Sequence, residues 1–134
     1  MSLRAIPLLV FSFILYNLIA LSMGTDGLNS HIFSLTLLSK GVWTFTWGDL
    51  ILLVTMFLLF IELLKSTFTS TSTLVDHALS MLVFVAVLIE FLMVPQAATS
   101  VFFLILIACL IDVIAGYTIG IRVARRDLSI GADQ

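Results

Sequence analysis

Residues 99–121 read TSVFFLILIACLIDVIAGYTIGI, an apolar run interrupted by one charge, Asp112. A helix rises about 1.5 Å per residue, so roughly 20 such residues cross the ~30 Å hydrocarbon layer of a bilayer. The run is long enough to be a membrane span. Three further stretches, 5–23, 49–64 and 78–94, are apolar and of similar or slightly shorter length. The second and third should sit upright or draw flanking residues to the interface. The link between the last two spans, Val94 to Thr99, is short enough to make them antiparallel neighbours. The fold read from this pattern is an all-α membrane protein, an antiparallel four-helix transmembrane bundle in one domain covering 1–134.

Composition points the same way. Of 134 residues, 61% are hydrophobic and 10% charged, whereas soluble domains carry about a quarter of charged residues. The formal charge of −2 gives no reason to expect nucleic acid as a partner. A single cysteine, Cys109, allows neither an intrachain disulfide nor a cysteine-based metal cluster, and no cofactor is implied. Arg4, Lys65, Arg122, Arg125 and Arg126 fall on one side of the four-span path and Lys40 on the other. The basic side is expected to be cytoplasmic, which places both termini inside and the location at the plasma (inner) membrane. The start of the chain, with Arg4, an apolar run and small residues near Ser22, also has features of a secretory signal. An uncleaved first helix is the preferred expectation, because the apolar run is longer than a usual signal core.

The first outer connection carries a different period. Phe33, Leu35 and Leu37 alternate with Ser34 and Thr36, and Trp43, Phe45 and Trp47 alternate with Thr44 and Thr46, on either side of a turn containing Gly41. Two period-2 segments around such a turn predict a β-hairpin over about 32–47 in the first extracytoplasmic loop. Its apolar face is too large to leave in water, and a lone hairpin is marginal by itself. The expectation is that it lies against the rim of the bundle and the headgroup zone, with Trp43, Phe45 and Trp47 as an outer interface.

Thr46 and Asp49, three residues apart, have capping-box spacing before the second span, and Thr73 and Asp76 repeat it before the third. These aspartates read as helix-start residues. His31 and His77 have no second ligand at metal-binding spacing and read as interfacial. The hydroxyl-rich connection 65–73 reads as a solvated turn, and the tail after Arg126 as loosely held.

The remaining candidates are polar groups inside the spans, where a charge costs at least about 2.5 to 3.5 kcal/mol. Glu62 is near a span end and can pair with Lys65 at i,i+3. Counted from the basic side, Asn17 and Glu90 lie about 18 Å deep, and Thr55 and Asp112 about 13 Å. These four are expected to form one polar layer. No basic residue is expected at that depth, so at least one carboxyl should be neutral. Ala108, Asp112, Gly116 and Gly120 share a helical stripe in which the small residues allow close packing.

No phosphate loop, zinc motif or activated nucleophile appears in the chain, which is read as non-enzymatic. The size and span count resemble small multidrug transporters and fluoride channels only as a general class, and no motif is matched residue by residue. The expected partners are the lipid bilayer and either a second copy or a larger membrane complex. The expected role is an accessory or assembly subunit; the alternative is a proton- or cation-conducting protein using Glu90 and Asp112.

Overall fold

The structure is a computed structural model that describes residues 6–67 and 73–132. In chain order it contains α1 (Leu9–Met23), a 3-10 segment (Thr25–Asn29), β1 (His31–Thr36), β2 (Val42–Thr46), α2 (Trp47–Ser66), α3 (Thr73–Met93), a second 3-10 segment (Pro95–Ala97) and α4 (Ser100–Ala132). The chain is thus mostly helical, with a small two-stranded antiparallel sheet. Among the described residues, three stretches, Trp47–Ser66, Val75–Met93 and Ser100–Ile119, are long and apolar enough to cross a membrane.

Helix boundaries follow local chemistry. α1 begins later than position 5, after Pro7, which disfavours helix in the residue before it. Its 15 residues reach only about 22 Å. α2 begins two residues earlier than expected because Thr46, in extended conformation, caps it. The Thr46 Oγ1 accepts from the Asp49 N–H at 3.2 Å, and the Asp49 Oδ2 accepts from the Thr46 N–H at 3.1 Å. Thr73 is the first residue of α3, and its side chain, with the second expected capping box, lies outside the described residues. The same holds for most of the hydroxyl-rich connection. After Arg126, where a loosely held tail is expected, α4 runs on to Ala132 through a segment free of proline.

α4 is the central element. It packs extensively on both α2 and α3, while α1 packs chiefly on α2, and α2 and α3 barely touch. Phe102, Ile105 and Cys109 of α4 meet Ile51, Val87 and Tyr16 from the other three helices in one buried core. The Phe102 ring lies edge-on to Tyr16 at 4.9 Å and parallel to Phe91 at 6.2 Å. Around this core the outward faces are apolar as well, with Leu18, Leu21, Met56, Phe57, Leu82 and Leu92 all more than half exposed.

The hairpin pairs Phe33 with Phe45 and Leu35 with Trp43, so the apolar residues do share one face. Its turn closes with Lys40 N–H donating to the Leu37 carbonyl and Leu37 N–H to the Gly41 carbonyl. Lys40 occupies the left-handed region at φ 69°. Two details differ from expectation. Trp47 is not in a strand but opens α2, half-buried against the core. Nor does the hairpin lie along the helices: β1 is exposed throughout and β2 becomes half-buried only at Phe45 and Thr46. The rings pack on each other instead, Phe33 stacking on Phe45 at 5.0 Å and Trp43 meeting both edge-on. The β2 to α2 junction is direct, so the sheet is held only at its base. Gly48 makes that base possible, because a Cβ there would come within 3.0 Å of Val101 and 3.2 Å of the Leu28 carbonyl.

Candidate functional site

The four polar residues expected in one layer are distributed along the bundle. Measured from the helix ends nearest the hairpin, Glu90 lies about 5 Å in, Asn17 about 9 Å, Thr55 about 12 Å and Asp112 about 18 Å. The expectation placed Glu90 deeper because it counted from residue 78, whereas α3 starts at Thr73 and ends at Met93. Thr55 is buried but donates to the Ile51 carbonyl of its own helix at 2.7 Å. The other three fall into two groups.

At the hairpin end, Asn17 donates to the Phe13 carbonyl at 2.9 Å and lies beside the Glu90 carboxyl. The Glu90 Oε2 is buried without a hydrogen-bond partner among the described residues. Beside this pair, the buried Tyr16 hydroxyl donates to the Gln96 carbonyl at 2.7 Å and lies 2.7 Å from the Thr99 Oγ1. The one phenolic proton is used on Gln96, so Thr99 donates to Tyr16. Thr99 in turn accepts from the Phe102 N–H at 3.2 Å. A single direction therefore runs through Phe102, Thr99, Tyr16 and Gln96, tying α1 to the connection between α3 and α4.

The far end holds the second group. Glu62 is buried and its Oε1 accepts from Lys65 Nζ at 3.0 Å and from the Leu8 N–H at 2.7 Å. Lys65 Nζ also donates to the Ile6 carbonyl at 3.1 Å. The carboxylate sits at the amino end of α1, where free amides and the helix dipole favour negative charge. Buried Asp112 lies beside buried Ser80 of α3 and within electrostatic reach of Glu62 and Lys65. Ser80 and Glu90 are ten residues apart on α3, about 15 Å, which separates Asp112 from Glu90.

Gly116 is buried where α2, α3 and α4 meet. A Cβ on it would lie 3.3 Å from the Ser66 Oγ, 3.8 Å from His77 and 3.9 Å from the Asp112 Oδ1. The glycine thus admits polar groups as well as a close helix. Ala108 is also buried on this stripe, while the surroundings of Gly120 lie outside the described residues. His77 packs against the Tyr117 ring at 5.0 Å, and no group of three or more metal-binding side chains occurs among the described residues.

Tyr16, Thr99 and Gly48 were not singled out from sequence. Thr99 had a local signal, as a hydroxyl residue just before an apolar helix. Tyr16 and Gly48 had none, because their partners are distant in sequence.

The third group is the hairpin face, where Phe33, Leu35, Leu37 and Trp43 are 44 to 51% exposed. The chain matches no family model, no curated protein and no solved structure.

Proposed function

We propose that this chain is an integral membrane protein without enzymatic activity, an assembly subunit that joins a second copy or a larger membrane complex. The observation that carries the reading is the exposed face of Phe33, Leu35, Leu37 and Trp43 on a hairpin standing clear of the helices. An apolar face of this kind marks an interaction surface, and its aromatic residues suit a well-packed contact. The membrane setting is supported by the apolar outward faces of the helices. On α2, Trp47 and Lys65 lie about 27 Å apart, close to the thickness of the hydrocarbon layer. In the proposed topology both termini are cytoplasmic and the hairpin is on the other side.

The test is the mass of the gently solubilised native assembly, compared for wild type and Phe45→Lys. The expected result is a fixed stoichiometry above monomer that the lysine lowers while the helices stay folded. A wild-type monomer without partners would overturn the assembly reading.

A conducting role for Glu90 and Asp112 is the second reading, favoured by the buried, unpartnered Glu90 Oε2. Loss of a pH gradient from vesicles containing only this protein would support it.

A further inference from the structure

We infer that the far end of α4 carries a binding surface for the phosphate of anionic phospholipid headgroups, centred on Arg122 and Arg125. The inference rests on the membrane reading above and adds a lipid preference to it. The apolar run of α4 ends at Ile121, yet the helix continues without interruption to Ala132, about 16 Å further. Arg122 and Arg125 are exposed on that extension. One helical turn apart, they present their guanidinium groups on the same face.

Position selects the ligand. Arg122 directly follows the apolar run and Arg125 stands about 6 Å beyond it. That interval is the headgroup layer. Tyr117, half-exposed just inside the apolar boundary, is the kind of aromatic side chain that settles at this interface. Arginine suits phosphate because its planar fork donates two parallel hydrogen bonds to the oxygens. The segment from Gly120 to Ala132 has three arginines against one aspartate, so its field favours anions. Arg126 already has an interaction within the chain, and Lys65 is held by Glu62 and the Ile6 carbonyl. The surface is therefore assigned to the other two arginines.

The experiment purifies the full chain from vesicles of equal phosphatidylglycerol and phosphatidylcholine and measures the retained lipids by mass spectrometry. Wild type should retain the anionic lipid preferentially. Arg122→Gln with Arg125→Gln should reduce the preference by about fivefold per arginine, and lysine at both positions should keep much of it. Lys40→Gln, on the hairpin, should leave it unchanged. Equal retention of both lipids by wild type, or an unchanged preference in the double glutamine variant, overturns the inference. Millimolar inorganic phosphate should not abolish the preference; if it does, the site takes free phosphate and the lipid assignment fails. Alkaline extraction of the same vesicles is run in parallel. Release of the protein would overturn the membrane reading, whereas retention without lipid preference would overturn the headgroup site alone.

Discussion

Glu62 accepts a hydrogen bond from the backbone N–H of Leu8 at 2.7 Å, across 54 positions of sequence. One carboxylate therefore ends the search of α1 for a partner and neutralises Lys65 at the same time. Glu62→Ala should cost roughly 2 to 3 kcal/mol, the range for hydrogen bonds to a charged group. Glu62→Gln, which keeps an acceptor oxygen, should cost less. Unfolding of the purified protein in mixed micelles measures both, and an alanine variant as stable as wild type would show that the contact contributes nothing.

The Tyr16 hydroxyl and Thr99 act as a unit, so their removal should not be additive. Tyr16→Phe should destabilise by about 1 to 2 kcal/mol, because the Gln96 carbonyl and the Thr99 hydroxyl both lose a partner. Thr99→Val should cost a similar amount, and the double variant less than the sum by at least about 0.5 kcal/mol. Strict additivity would mean that the two hydroxyls do not depend on each other.

Lys40 holds a left-handed conformation that costs a non-glycine residue roughly 1 to 2 kcal/mol. Lys40→Gly should relieve part of this and slow hydrogen exchange at the Leu37 amide, which donates across the turn to Gly41. Faster exchange in the variant would count against the turn geometry described.

Glu90→Gln and Asp112→Asn separate the two functional readings. If these carboxyls only hold the bundle together, the amides should preserve assembly, and neither wild type nor variant should dissipate a pH gradient in vesicles. If protons pass through them, wild type should leak and the variants should not, since an amide cannot release and regain a proton at accessible pH. A leaking wild type that loses flux in either folded variant would replace the subunit reading.

Elements whose signal is local were legible before the structure. The capping box at Thr46, the pairing face of the hairpin and the Glu62 and Lys65 ion pair all depend on residues close in sequence or on a short period. The single polar layer failed because depth was counted from assumed span ends, and a five-residue shift in the start of α3 moved Glu90 away from Asp112. Position along a helix also says nothing about rotation, which is why the Asp112 and Ser80 pair and the Gly116 junction emerged only from packing. Phe33, Leu35, Trp43 and Phe45 do share a face, but Trp47, grouped with them by its period, opens α2, and the relation of the face to the helices depended on a junction without a linker, a tertiary fact.

The central place of α4 has a consequence for the order of events during synthesis. α2 and α3 barely meet and both rest on α4, the last of the four helices to leave the ribosome. Until it arrives, α2 and α3 have little surface in common against which to settle, and Ile51 and Val87 have no Phe102 or Ile105 to cover them. Insertion of the early helices can proceed one by one, but a cooperative core must wait for the final one. A nascent chain halted before Thr99 should therefore remain open to quality-control proteases, and should become resistant only once α4 has emerged.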